Sequence, residues 1–165
     1  MRYAEIKPVD IANGTGVGVA LFVQGCKFHC KECFNTVTWD FTGGKEFTEA
    51  VMDQILELLA PAYIKRLTIL GGEPLVEENR EGVLWILQRV RAKYPTLKIW
   101  LYTGYVWEQV KDLEHIKYLD TLVDGRFEAD LKDITLKFRG SSNQRIIDVK
   151  KSLEAEEVVR WDTEK

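Results

Sequence analysis

Hydrophobic positions along the chain alternate between two periods. Residues 17–23 (VGVALFV) form an apolar run rich in β-branched side chains, the pattern of a buried strand. Over 48–60 the apolar residues Val51, Ile55, Leu58 and Leu59 recur at helical spacing; Thr48 is placed to cap the first turn, and Pro61 follows the last. Residues 67–70 predict a second strand, halted by Gly71-Gly72. A second helix is predicted over 79–94, with Val83, Leu84, Leu87 and Val90 on one face and Pro95 beyond its end. Lys98-Ile-Trp-Leu-Tyr102 alternates and predicts a third strand that stops at Thr103-Gly104. A shorter helix over 107–115 and a short strand over 121–123, ending at Asp124-Gly125, follow.

Strand–helix alternation at this spacing implies βαβ units and a parallel sheet wrapped by helices. At 165 residues the chain is too short for an eightfold barrel of roughly 250 residues. The expected fold class is therefore α/β, a truncated, open (β/α) partial TIM-like barrel. No repeat, low-complexity tract or Pro/Gly/Ser linker divides the sequence, so one domain over 1–165 is expected, with 151–165 a tail of unassigned structure. In such architectures the C-terminal strand ends share one rim, where sites are built. Here that rim collects a cysteine-rich segment, Gly-Gly-Glu-Pro, Thr-Gly-Tyr and Asp-Gly-Arg.

Composition narrows the partners. Lys and Arg number 23 against 26 Asp and Glu, a formal charge of −3 that gives no general attraction to nucleic acid or an anionic membrane. The N-terminal segment has no apolar stretch resembling a secretory signal, and nothing approaches the roughly 18 apolar residues of a membrane span. A cytoplasmic location is expected. Gly14-Thr-Gly-Val-Gly18 precedes an apolar strand where a dinucleotide fingerprint would follow one, so it reads as a flexible access loop near the rim. Glu154 to Glu157 reads as a solvated face, and most of the five tryptophans as core.

All three cysteines lie in Cys26-Lys-Phe-His-Cys30-Lys-Glu-Cys33, an odd and crowded set that makes a poor disulfide framework. Clustered cysteines in a cytoplasmic chain point to metal or redox chemistry. Structural zinc would need His29 or His115 as a fourth ligand, and His29 is adjacent to Cys30. A [4Fe–4S] cluster normally takes four thiolates, so three cysteines would leave one iron open to a substrate, with Lys27, Lys31 and backbone N–H groups offsetting the cluster's negative charge. Spacing alone leaves both metals standing. Gly71 and Gly72 bare the backbone to a ligand or simply make a tight turn. Glu73 is placed to meet an ammonium or is an exposed loop glutamate, and Asp124 with Arg126 could meet the two ends of an amino acid or flank a glycine turn with their charges facing water.

Cys-x3-Cys-x2-Cys after one strand and Gly71-Gly-Glu-Pro74 after the next resemble the radical S-adenosylmethionine superfamily. Within it the chain is most similar to the activating proteins of anaerobic (class III) ribonucleoside-triphosphate reductases. The segments that carry this closer likeness are Pro8-Val-Asp-Ile-Ala-Asn-Gly14, Phe47-Thr48, Ile99-Trp100, Tyr102-Thr-Gly-Tyr105, Leu122-Val-Asp-Gly125 and 139–149. The resemblance implies that Cys26, Cys30 and Cys33 hold a [4Fe–4S] cluster whose open iron chelates S-adenosyl-L-methionine. Reductive cleavage then gives a 5′-deoxyadenosyl radical, which makes a glycyl radical on the large catalytic subunit of the reductase. Reduced flavodoxin or ferredoxin is the implied electron donor. Glu32 stands where many members carry an adenine-stacking aromatic, so the implied adenine contact is the backbone from Glu32 through Cys33 to Phe34. Residues 139–145 are read as a surface loop or part of the reductase docking surface. The sister reading is an activase of another glycyl-radical enzyme such as pyruvate formate-lyase; the reading outside enzymes is a zinc-binding interaction module.

Overall fold

The computed structural model describes residues 1–33 and 36–161 of the chain. The strands β1 (Arg2–Asp10), β2 (Gly18–Val23), β3 (Lys45–Glu46), β4 (Arg66–Gly71), β5 (Lys98–Tyr102), β6 (Thr121–Asp124) and β7 (Arg145–Asp148) form one open seven-stranded sheet, ordered β3-β1-β2-β4-β5-β6-β7. Its centre, β2-β4-β5-β6, is parallel, and β1, β3 and β7 join antiparallel on the flanks. The helices α1 (Glu49–Leu58), α2 (Glu77–Lys93), α3 (Trp107–Val110) and α4 (Val149–Ala155) complete a mixed α/β architecture.

The four parallel strands match the hydrophobic pattern to within one residue at most ends. Thr48 caps α1 as expected, its hydroxyl accepting the Val51 N–H at 3.4 Å. α2 starts two residues early, and Glu77 and Glu78 place negative charge beside its N-terminal N–H groups. The helix predicted over 107–115 is instead a single α-turn, α3, followed by a 3-10 segment over Glu114–Tyr118. Trp107, Val110, Leu113 and Ile116 recur every third residue, a spacing that lines one face of a three-residue turn better than a 3.6-residue one. The Leu113 N–H accordingly bonds the Val110 carbonyl, and the Ile116 N–H that of Leu113.

Alternation along the strands sorts the core into two sides. Val19, Leu21, Leu67, Ile69, Ile99, Leu101, Leu122 and Ile147 face the helices and pack with Met52, Ile55, Val83, Leu87 and Ile116. Ala20, Phe22, Leu70, Trp100, Val123 and Ile146 face the other way, where Tyr102, Phe138 and Trp161 pack on them. Among the described residues no α-helix packs on this second face; chain from the 126–144 connection, which includes a 3-10 turn over Ala129–Leu131, partly covers it.

The glycine-containing loop 11–17 lies at the opposite end of β2 from the cysteines, a correction to its expected place near the rim. It is tied down by fully buried Arg66, which pairs with Asp10 at 2.8 Å and donates to the Asp10 and Thr15 carbonyls and to the Thr68 hydroxyl. Thr68 in turn donates to the Asn13 carbonyl at 2.8 Å. The guanidinium thus supplies the donors that the loop's turned-in carbonyls need.

Candidate metal centre

Parallel register places the cysteine loop beside Gly-Gly-Glu-Pro: Val23, the last residue of β2, aligns with Gly71, the last of β4. The loop is then suspended from its surroundings by main-chain bonds. Gly25 N–H donates to the Thr38 carbonyl, Cys26 N–H to that of Trp39 and Glu73 N–H to that of Gly25, at 2.6, 3.1 and 2.7 Å. Buried Asn79, in the first turn of α2, adds a bracket by donating to the carbonyls of Gln24 and Glu73, at 3.0 and 3.1 Å.

Both glycines are required by this close approach. Gly71 has φ +108°, and a Cβ there would stand 2.7 Å from the Val23 nitrogen; at Gly72 it would stand 2.4 Å from the Gly25 carbonyl oxygen. The tight-turn reading of the pair therefore holds, and both residues also line a cavity of about 590 Å³ that Cys26, Cys30 and Cys33 share. That volume lies within the range of cofactor and small-molecule sites. The cavity runs down the second face of the sheet past Phe22, Leu70 and Tyr102 to Asn13, with Ile134 and Phe138 on its wall.

No disulfide joins the cysteines. Cys26 is buried, and Cys30 and Cys33 are half-buried. Burial pushes the Cys26 thiol above its ordinary pKa even though the Phe28 and His29 N–H groups donate to it. Burial, with Cys33 nearby, also raises Cys30, against an N–H bond from Phe127. Three sulfurs lining one cavity, with amide N–H groups bonded to Cys26 and Cys30 and Arg126 the positive charge beside Cys30, are a donor set suited to a group that brings its own cations. An iron–sulfur cluster fits these residues. The zinc alternatives are not assembled: His29 stacks on Trp39 at 4.4 Å, and His115 is buried with Nε2 on the Arg80 carbonyl at 2.7 Å. Among the described residues no three His, Cys, Asp or Glu side chains stand ready for a single metal ion.

The remaining expected site residues are placed differently from one another. Glu73 is buried, and its carboxylate accepts from Leu75 N–H, Thr103 Oγ1 and Gly104 N–H at 2.9, 2.6 and 2.6 Å. Burial outweighs these donors and lifts its pKa to about 7. Asp124 is buried and committed elsewhere: it accepts the Trp107 N–H at the start of α3 and a two-pronged bond from Arg145 at 3.1 and 2.6 Å. Arg126 does reach the cavity wall, its guanidinium 4.4 Å from the Phe28 ring centre. Glu32 is exposed, with φ 58°, and Phe34 lies outside the described residues. Lys27 pairs with Glu78 at 2.9 Å on the surface.

Four contributors were not found from the sequence. Asn79 looked like an ordinary helix residue. Phe28 fills the gap between Arg126, Tyr105 and the bare Cα of Gly104. Asn143 and Gln144 donate to the carbonyls of Arg126 and Gly125 at 2.8 and 3.1 Å. With Arg145 on Asp124, three consecutive side chains thus grip the last residue of β6 and the two that follow it, and the segment they lead into supplies Phe127 to Cys30.

Residues 12–147 match the family described as 4Fe-4S single cluster domain. The chain is 42% identical over 146 residues to the anaerobic ribonucleoside-triphosphate reductase-activating protein of Enterobacteria phage T4, covering 88% of this chain and 93% of that protein. The chain belongs to this family. The namesake from Escherichia coli K12 is 42% identical over 148 residues, 87% of this chain and 96% of its own, and that of Vibrio cholerae 39% over 150 residues, 88% and 97%. In these reductase-activating proteins' terms, the matched region takes in the cysteine loop, the Gly-Gly-Glu-Pro turn and the Asn143–Arg145 grip together. No described helix is long and apolar enough to cross a membrane.

Proposed function

We propose that this chain is the radical-generating activase of an anaerobic ribonucleoside-triphosphate reductase, working in the cytoplasm as a single radical S-adenosylmethionine domain. The observation that carries the reading is one cavity walled by Cys26, Cys30, Cys33 and the Gly71-Gly72 backbone, in a chain whose relatives bear that name over nearly their whole length.

Cys26, Cys30 and Cys33 hold the cluster in this reading. When bound, it supplies the electron that breaks the C5′–S bond of S-adenosylmethionine, giving methionine and a 5′-deoxyadenosyl radical that takes a hydrogen atom from a glycine of the reductase's large subunit. The chain's own residues orient and shelter. The Gly71-Gly72 backbone and the Glu32-to-Phe34 stretch border the cosubstrate, and Arg126 offers it a cation at the cavity edge. Glu73, held by three donors, fixes the Thr103-Gly104 end of β5 opposite the cysteine loop. Asp124 acts through Arg145 and α3 by shaping the segment that ends in Arg126. The open sheet, with the cavity against one face, supports reading the fold as a truncated, open partial barrel, and that openness suits a substrate that is a loop of another protein. Reduced flavodoxin or ferredoxin supplies the electron.

Anaerobic reconstitution tests the proposal. About four irons per chain, S-adenosylmethionine cleavage on reduction, and a glycyl-radical resonance on added reductase are expected. Replacing any one of the three cysteines by Ala is expected to remove both bound iron and radical formation. A colourless, zinc-loaded protein without cleavage would reject it; radical formation on pyruvate formate-lyase instead of the reductase would reassign the partner.

A further inference from the structure

Trp39 stands apart from the other tryptophans. It alone among them lines the cavity that the three cysteines share. The residue is partly exposed, yet its Nε1 is fully enclosed and has no hydrogen-bond partner among the described residues. An indole N–H is a donor only, and a buried donor without an acceptor costs about 1–3 kcal/mol. Its position is also fixed on two sides. The Trp39 carbonyl accepts the Cys26 N–H at 3.1 Å, and the indole face stacks on His29, between Cys26 and Cys30, at 4.4 Å and 12°. Backbone and ring are therefore both tied to the cysteine loop, so the nitrogen has little freedom to seek solvent.

Other enclosed orphans are weaker leads. The Tyr102 hydroxyl also borders the cavity, but farther from the cysteine loop and on an O–H that rotates to suit its surroundings. His115 Nδ1 belongs to a ring anchored against α2.

We infer that the Trp39 Nε1–H donates to a sulfur of the bound cluster and so tunes its reduction potential. The inference rests on the reading of Cys26, Cys30 and Cys33 as cluster ligands. Hydrogen bonds to cluster sulfurs draw off negative charge and favour the reduced, more negative state. Trp39 is thus a tuning residue for the electron that starts the chemistry, distinct from the ligands themselves.

The test uses the reconstituted protein without S-adenosylmethionine. Trp39→Phe keeps an aromatic ring against His29 and deletes the donor. At wild-type iron content its cluster midpoint potential, read by a redox titration followed by electron paramagnetic resonance, is expected to shift to a more negative value. Independently, wild-type protein carrying 15N-indole tryptophan is expected to show a weak nitrogen coupling to the reduced cluster in pulsed resonance. An unchanged potential in Trp39→Phe, or no coupling in the labelled wild type, would overturn the inference. If the variant fails to hold iron, the labelled wild type decides alone. Failure of the wild type itself to assemble a cluster would instead strike the underlying reading of the cysteines.

Discussion

Glu73 was expected either to meet an ammonium or to face solvent, and the structure places its carboxylate on three donors of the protein itself. A glutamate after Gly-Gly in a loop looks solvent-facing, and the sequence offers no hint that Leu75, Thr103 and Gly104 will converge on it. Burial lifts its pKa from 4.5 to about 7, so the folded state favours the protonated acid. Its contribution to stability is therefore greatest below 4.5, declines as pH rises from 4.5 to about 7, and is level above that. Metal-free protein followed by urea unfolding is expected to lose stability across this window. Glu73→Gln should lack that slope while carrying a roughly constant cost of about 1–3 kcal/mol, because an amide NH2 faces one of the three donors. Parallel curves for both proteins would contradict the burial account. Asp124 was expected to face a ligand beside Arg126, but the structure commits it to Trp107 and to Arg145, a partner 21 residues away and invisible to local pattern.

At the level of elements, the parallel strands and the two long helices were legible because burial imposes period 2 or 3.6 on their apolar residues. β1 was not, since its pairing with β2 slips between Tyr3 and Glu5 and again between Lys7 and Asp10, which scrambles any alternation. β7 offers only Ile146 and Ile147 between charged neighbours, too little apolar pattern to mark a strand. The cysteine loop itself was plain from spacing, whereas what positions it was hidden in backbone bonds and in Asn79. Gly72→Ala, which drives a methyl into the Gly25 carbonyl, is expected to lower iron retention after desalting although every cysteine remains. Asn79→Ala should cost about 1–3 kcal/mol in urea unfolding by taking the side-chain donor from the Gln24 carbonyl and leaving that of Glu73 with only the Val76 N–H, and should loosen iron in the same assay. Full iron retention in both variants would show that the cysteines need no such brackets.

Across the whole molecule, the two ends of the sheet are secured by different means. At the end away from the cysteines, Arg66 and Asp10 form a buried pair, and Arg66→Ala is expected to cost about 3–5 kcal/mol because Asp10 and the loop carbonyls lose their donor; a change below 1 kcal/mol in urea titration would refute this. At the rim, the grip of Asn143 and Gln144 on 125–126 reaches Cys30 through Phe127. The double replacement by Ala should speed iron loss to a chelator while leaving the unfolding midpoint nearly unchanged, and equal loss rates would argue against it. The main-chain bonds from Gly25 and Cys26 to Thr38, Trp39 and Glu73 carry one more implication. Because the cradle is braced by the polypeptide itself, air that strips the inorganic core is expected to leave a vacant but standing socket, checked by whether urea unfolding of air-treated protein keeps its midpoint. The lifespan of the protein would thereby be uncoupled from that of its fragile cargo, and fresh iron and sulfide given to the emptied molecule are expected to restore it without refolding.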